Sequence, residues 1–506
     1  MEYYAKSKKV QFTSERINEI KKNMKNIEEC LKENLTETDV EILNSSITDI
    51  AEKTEEKQKT LKEHHKDIVT CAEMFFLEYG EYFTEKEKKL VVEACRIHDL
   101  GKVNLVFQAM ICPKLAEKFH IDVRKTSQIP HGFLSAVTIS LDEFDDLSEL
   151  FSDKDFGPFI TAVYYHHDRE DHYNSPAIRK YAEKYYMKQI EEYLNRKIRK
   201  LNCSNLDDLL FRNNVYTGKY IPDSNAWKEY LLIKGLLNKF DYTVSAGYEN
   251  AESAIDLHEK KLVKNIEKFL NGKELRPAQK FMKMNRDKNL IVIAPTGSGK
   301  TEASLLWMNG EKSFYTLPLK VSSNAIYLRI KENYEYKDVA LLHSDAMAVY
   351  LREYNGNEDI GEKYERSKML SQPLTVCTVD QLFRFVYRAL GTEIFAATLK
   401  YSKLVLDEIQ AYEPRVIATI IYGLKMIQEM GGKFAIITAT FPPVLKYFME
   451  QYGLVEGKQY IFKDFTGKEY QVEKYPRHKV EIRHSEMNLD EIRQQGKNRK
   501  VLVICN

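Results

Sequence analysis

Cysteine is scarce and scattered in this chain. Its seven residues (Cys30, Cys71, Cys95, Cys112, Cys203, Cys377 and Cys505) never form a CxxC pair, and an odd, widely spaced set excludes both a disulfide framework and a thiolate zinc site. A reducing, cytoplasmic setting is therefore expected. Glycine (21) and proline (13) are few, which excludes a fibrous or low-complexity chain. An excess of one charge is missing as well: 76 Lys and Arg face 75 Asp and Glu, so any contact with nucleic acid has to come from a local basic groove. Long hydrophobic runs are absent. The stretches around Val416–Leu424 and Phe434–Ile437 fall far short of a membrane span, and the start, MEYYAKSKKVQFTS, has no apolar signal core, so no membrane partner is expected.

What is there is a chain of 506 residues with 43% hydrophobic and 30% charged residues, enough for about three compact, helix-leaning domains. Ile17, Ile20, Met24, Ile27 and Leu31, then Val40, Leu43, Ile47 and Ile50, recur at spacings of three and four on either side of KENLTETD. This predicts a helical hairpin over residues 1–58. Residues 59–250 are rich in helix formers and carry eight of the twelve histidines. Within them Tyr181–Leu201 reads as a charged surface helix, Leu206–Ala226 as an irregular loop and Tyr230–Phe240 as an apolar helix. A linker helix is expected over residues 251–270.

From residue 271 the texture changes. Short apolar runs (Asn289–Ala294, Ser313–Leu317, Val339–His343, Leu374–Cys377, Lys403–Leu406 and Phe434–Thr438) alternate with helical patterns, which is the rhythm of a parallel α/β sheet. That domain is expected to run to about 460. Residues 461–506 then read as a connector leading into the apolar strand Val501–Cys505, the start of a further α/β lobe.

APTGSGKT follows one of these strands and opens a helix, the context a phosphate loop requires. Gly297 and Gly299 let backbone N–H groups, with Thr296 and Ser298 between them, converge on phosphate oxygens. Lys300 reaches the terminal phosphates and Thr301 offers a hydroxyl to Mg²⁺. About a hundred residues later LVLDEIQ sets Asp407 and Glu408 at another strand end, where the first suits Mg²⁺ and the second the polarising of an attacking water. ATP with Mg²⁺ is the expected ligand.

LRPAQ, APTGSGKT, TLPLK, VCTVDQLF, LDEIQ and TATFP, in this order, resemble the motifs of superfamily 2 helicases. The resemblance implies that Arg276 and Gln279 contact the adenine. It also implies that Thr438 and Thr440 couple hydrolysis to movement, and that the Lys320 and Asp380 segments line a nucleic-acid path. Helicases of this kind close ATP between two lobes, the second of which supplies arginine fingers. With only one strand of that lobe expected here, ATP binding with poor hydrolysis is the expectation.

The histidines fall into a second pattern: His64 in KEHHKDI, His98-Asp99 in ACRIHDLGK, His131 in IPHGF, His166-His167 in VYYHHDR, and Asp241 in NKFDYT. Imidazole and carboxylate without thiolate suit Mn²⁺, Fe²⁺, Ni²⁺, Co²⁺ or Mg²⁺. The order resembles the HD metallohydrolase superfamily. Carried over, the resemblance places His64, His98, Asp99 and Asp241 on one metal and His131, His166 and His167 on a second, with Asp99 bridging and Lys102 beside the scissile phosphate. His65, His120, His172 and Asp67 receive no role.

The fold class that follows is multidomain: an all-α HD metallohydrolase domain and then an α/β RecA-like helicase lobe. An HD domain placed before such a helicase resembles the CRISPR-associated helicase-nuclease of type I systems. That resemblance implies a metal-dependent nuclease acting on single-stranded DNA, the displaced strand of an R-loop, recruited by an RNA-guided effector complex in antiviral defence. Two other classes stay open: an ATP-gated binding module with a vestigial nuclease, and an HD phosphohydrolase acting on small nucleotides.

Overall fold

The computed structural model describes residues 2–5, 59–139, 153–167, 176–198, 225–253, 260–353, 360–388, 391–470, 482 and 487–503. The hairpin expected over 1–58 lies outside them apart from residues 2–5, and so does most of the loop expected over Leu206–Ala226.

The first region is helical. Its chief helices are α1 (Leu61–Tyr79), α2 (Glu85–Ile97), α3 (Leu105–Ile111), α4 (His131–Thr138), α5 (Asp153–Tyr164), α6 (Pro176–Tyr185), α7 (Met187–Leu194) and α8 (Asn225–Ser245). Two starts are written locally. Thr60 and Thr84 each accept the backbone N–H of the glutamate three residues on, Glu63 and Glu87, whose carboxylates reach back to the threonine N–H. Such capping boxes each contribute on the order of 1 kcal/mol. The charged helix expected over Tyr181–Leu201 is instead two helices broken at Tyr186. Tyr186, Gln189 and Ile190 are buried, because Tyr186 turns its hydroxyl inward to Thr138 Oγ1 at 2.6 Å.

The second region is a seven-stranded sheet: β1 (Leu290–Ile293), β2 (Ser313–Leu317), β3 (Val339–Leu342), β4 (Leu374–Thr378), β5 (Lys403–Asp407), β6 (Lys433–Thr438) and β7 (Ile461–Asp464). Its order is β3-β4-β2-β5-β6-β1-β7 and every pairing is parallel. Strands β1 to β5 are buried along their whole length, as a sheet covered on both faces requires. Helices α9 (Lys261–Leu270), α10 (Pro277–Met284), α11 (Lys300–Met308), α12 (Lys320–Glu332), α13 (Glu393–Lys400), α14 (Pro414–Met430) and α15 (Pro443–Gln451) supply much of that cover.

Three expectations need correction. Strand β7 pairs with β1 in full register, so the sheet extends past residue 460; its IFKD sequence lacks the apolar run that marks the other strands. The linker helix begins at Lys261, and Ala251–Ser253 are not helical: Ser253 N–H donates to the Ser371 carbonyl at 2.8 Å and Glu252 is buried against the sheet domain. Val501–Val503 are exposed and form no strand; Ile504 to Asn506 lie outside the described residues.

The helical region and the sheet domain form one compact unit, Met1–Phe465, and share a continuous apolar core. Helix α8 lies at the seam. Phe75 and Tyr79 of α1 meet the ring of Tyr401, which stands just before β5. The remaining unit, Thr466–Asn506, contains a short turn of helix at Lys468–Tyr470 and the helix Leu489–Asn498.

Candidate metal centre and nucleotide site

Five segments of the helical region converge on one carboxylate. His64 projects from the first turn of α1; His98 caps the end of α2, and Asp99 follows it into a 3₁₀ turn (Leu100–Val103) that carries Lys102. His131 opens α4, His166 and His167 follow α5, and Asp241 sits near the end of α8. Asp99 is fully buried. Its Oδ2 lies 2.6 Å from Lys102 Nζ, 3.3 Å from His98 Nε2 and 3.4 Å from His64 Nε2. Its Oδ1 lies 3.3 Å from His131 Nε2 and 3.5 Å from His166 Nε2. Asp241 closes the ring, with Oδ1 3.1 Å from His64 Nε2 and Oδ2 3.2 Å from His167 Nε2.

The ligand-like atoms form two groups with Asp99 in both: His64, His98 and Asp99, and Asp99, His131, His166 and His167. Two backbone contacts fix which nitrogens face the centre. His98 Nδ1 is 3.0 Å from the Cys95 carbonyl and His166 Nδ1 is 2.6 Å from the Val163 carbonyl. A carbonyl only accepts, so both Nδ1 atoms carry the proton, and His166, whose ring is neutral, turns the lone pair of its Nε2 toward Asp99. Lone pairs facing a carboxylate repel unless a cation lies between them. Consistent with that, His64 Nε2, His98 Nε2 and Asp99 Oδ1 are buried without a hydrogen-bond partner. The donor set fits divalent metal ions.

Asp99, Asp241, His131 and His166 are held in the protonation states that ligation needs. Burial pushes the Asp99 carboxyl up, but His98, Lys102 and the close approach of His166 and His64 outweigh it and hold the group well below its ordinary range. Asp241 is held well below by His167 and His64 in the same way. Burial drives His131 well below the usual histidine value, reinforced by Lys102, and drives His166 down to about 3, reinforced by His167. For His64 burial acts downward, and Asp241 and Asp99 overcome it and raise it. Ionised carboxylates and neutral imidazoles are the ligating forms.

Close packing holds these segments together. A Cβ on Gly101 would stand 2.0 Å from the His131 carbonyl oxygen, so only glycine lets the Asp99 turn lie against α4. Ser135 Oγ ties the same two pieces, accepting Gly101 N–H at 2.8 Å and donating to the His98 carbonyl at 2.6 Å. Neither Ser135 nor the Cys95 and Val163 carbonyls carry a sequence signal, except that each histidine lies three residues past its carbonyl. His65 turns away to Tyr193, whose hydroxyl is 3.2 Å from His65 Nδ1, while Asp67 pairs on the surface with Lys59 at 2.5 Å. His120 has φ 52° in the turn after residue 118, and His172 lies outside the described residues.

The nucleotide motifs meet at the carboxyl ends of β1, β5 and β6, which are neighbours in the sheet. Gly297 (φ 76°) and Gly299 (φ 84°) take the left-handed backbone that curls the loop between β1 and α11, and Thr296, Ser298 and Thr301 lie along the same turn. Lys300 Nζ pairs with the Glu408 carboxylate. Asp407 Oδ2 accepts a 2.7 Å bond from Tyr315 on β2, while Asp407 Oδ1 and Ser298 Oγ are buried without partners. Burial raises the Asp407 carboxyl; for Glu408 burial acts the same way, but Lys300 and Gln410 prevail and lower it. Arg276 and Gln279 both stitch onto the loop, through the Gly297 carbonyl and, at 3.4 Å, the Gly299 carbonyl. Gln410 bridges Glu408 and Thr438, and Thr438 Oγ1 donates to the Thr440 carbonyl at 2.8 Å as well. Tyr315 and Gln410 were not singled out in the sequence: one reads as an ordinary strand residue, the other as part of a motif.

Two family models match the chain: "Cas3, HD domain" over residues 51–224 and "DEAD/DEAH box helicase" over residues 277–448. Asp241 lies beyond the first, and only the fold brings it to the centre. Among curated proteins, the CRISPR-associated nuclease/helicase Cas3 of Methanothermobacter thermautotrophicus is 25% identical over 464 residues, 79% of this chain and 54% of that protein. The CRISPR-associated endonuclease/helicase Cas3 of Escherichia coli K12 is 25% identical over 190 residues, 32% of this chain and 21% of that one. The chain thus spans about half the length of the first of these relatives. In fold it is similar to the crystal structure of T. fusca Cas3 (TM-score 0.54, 18% identity, 79% of this chain and 51% of that chain). It is also similar to T. fusca Cas3-ATP (TM-score 0.53, 17% identity, with the same coverage). Among the described residues no helix is long and apolar enough to cross a membrane.

Proposed function

This chain belongs to the Cas3 HD–helicase fusions, and from that premise we propose that its helical region cleaves single-stranded DNA with divalent metals while the sheet domain binds ATP as the first lobe of a DNA translocase. The observation that carries the reading is the place of Asp99: one carboxylate, ionised and buried, faces His64 and His98 on one oxygen and His131 and His166 on the other. Divalent metals, with Mn²⁺, Fe²⁺, Ni²⁺, Co²⁺ and Mg²⁺ all suited to the donor set, supply the activation of water and the neutralisation of phosphodiester charge.

The chain's own residues do the rest. The Cys95 and Val163 carbonyls hold His98 and His166 in the ligating tautomer. Lys102, 8% exposed, keeps its ammonium on Asp99 and supplies positive charge where a scissile phosphate gains negative charge. In the sheet domain Lys300 and Glu408 face each other, so the phosphates of ATP compete with Glu408 for the ammonium and free that carboxylate to orient water. Asp407 and Thr301 hold Mg²⁺. Arg276 and Gln279, which now bind the loop, are the residues for adenine.

The target is the displaced strand of an R-loop, presented by an RNA-guided effector complex of type I in antiviral defence; that complex reads sequence and this chain reads backbone and stacked bases. The test is cleavage of single-stranded DNA with Mn²⁺, Co²⁺, Ni²⁺ and Mg²⁺ in turn, without ATP, by wild type and Asp99→Ala. Cleavage lost in the variant is the expected result. No cleavage by wild type with any of the metals would overturn the nuclease reading.

A further inference from the structure

Residues 3–5 form a short extended segment that runs antiparallel to the start of α1. Ala5 N–H donates to the Lys59 carbonyl at 3.0 Å and Leu61 N–H to the Tyr3 carbonyl at 2.8 Å, around a bridge between Tyr4 and Thr60. The second bond satisfies an N–H that α1 leaves open at its own N-terminus, three residues before His64. Tyr3 and Ala5 are 4% and 3% exposed.

The buried carboxamide of Gln108, on α3, then joins this segment to the metal centre. Gln108 Oε1 accepts Tyr4 N–H at 2.9 Å, and Gln108 Nε2 donates to the Tyr4 carbonyl at 2.9 Å and to the Lys102 carbonyl at 2.7 Å. Both amide hydrogens and the oxygen are used, and two of the three bonds go to Tyr4. Without Tyr4 a fully buried amide keeps one partner, and each unsatisfied polar group costs about 1–3 kcal/mol. On the other flank the Tyr3 ring packs edge-on against Tyr193 at 5.8 Å, and Tyr193 reaches His65 beside His64.

We propose that the segment Tyr3–Ala5 is an integral strut of the nuclease domain, and that Gln108 is the positioning residue through which it fixes the turn carrying Asp99 and Lys102. The HD family model matches from residue 51 and so does not include the strut. The strut itself follows from the hydrogen bonds; its effect on cleavage rests on the nuclease reading above.

Four forms of the 506-residue chain test it: wild type, one with residues 6–58 replaced by a short Gly-Ser turn, one lacking residues 1–58, and Gln108→Met, which keeps the side-chain volume. Hydrogen exchange of the peptide spanning Asp99 to Gln108 is read first. Protection is retained in the Gly-Ser form and lost in the other two variants. Cleavage is read second: kcat falls about tenfold to a hundredfold in those two, with KM for DNA unchanged, as for groups that orient metal ligands. Gln108→Glu, which accepts from Tyr4 but cannot donate to Lys102, gives no rescue. Wild-type protection in the chain lacking 1–58, or in Gln108→Met, overturns the strut. A wild type that shows the expected exchange pattern but no metal-dependent cleavage leaves the strut standing and overturns the nuclease reading instead.

Discussion

Lys234 of α8 and Glu393 of α13 form an ion pair at 2.8 Å across the seam between the helical region and the sheet domain, with both side chains buried. Tyr230 donates to the same carboxylate oxygen at 3.0 Å. Helix α8 carries Asp241 two turns further on, and α13 leads into β5 and Asp407, so one contact borders the elements of both sites.

Removing one partner leaves a buried charge alone. Glu393→Ala is expected to cost about 3–5 kcal/mol, whereas Lys234→Met with Glu393→Leu should be near neutral, because the pair's desolvation offsets most of its attraction. Urea unfolding of the three chains decides it. A loss under about 1 kcal/mol in Glu393→Ala would mean that water reaches the seam.

The two sites use different residues and should fail separately. Asp99→Ala is expected to abolish Mn²⁺ or Co²⁺ binding in calorimetry, since the carboxylate belongs to both ligand groups, and to leave ATP affinity unchanged. Loss of both together would contradict independent sites.

Lys300→Ala removes a charge-assisted contact to phosphate worth about 1.5–3 kcal/mol, so ATP affinity should fall about tenfold to a hundredfold. Metal-dependent nicking by the isolated chain should persist. Nicking that disappears with this substitution would end the proposed division of labour.

A pH effect comes from Lys312, buried beside Glu252 and Lys239, with its ammonium pushed by burial down to about 7. The unfolded chain holds this proton up to about pH 10.4. Between these values the unfolded state binds more protons than the folded one, so the term contributed by Lys312 makes stability rise with pH, by up to about 1.4 kcal/mol per unit. Below pH 7 both states are protonated and the slope vanishes. Comparing wild type with Lys312→Met in denaturant melts from pH 7 to pH 10 isolates the term; parallel curves would refute it.

Much of the chemistry was legible because it is local. A phosphate loop needs glycines, a lysine and a hydroxyl within eight residues, and strand β2 was placed to the residue because Phe314, Tyr315 and Leu317 mark a short, buried, β-prone run. The cluster was legible in residue type: the seven quoted residues (His64, His98, Asp99, His131, His166, His167 and Asp241) come together in the fold. The tautomers were not, because they depend on helix ends that aim the Cys95 and Val163 carbonyls.

By itself, then, the sequence determined the residue types, the order of the motifs and the alternation of strand and helix, all of which act over a few residues. Tertiary structure alone decided that Tyr3 reaches Lys59–Leu61, that IFKD completes the sheet beside β1, and that Glu252 leaves an expected helix to meet Lys239 and Lys312 in the seam. Each of these is a backbone or charged group finding its partner far along the chain, and such a partner has no period or spacing by which a sequence can announce it.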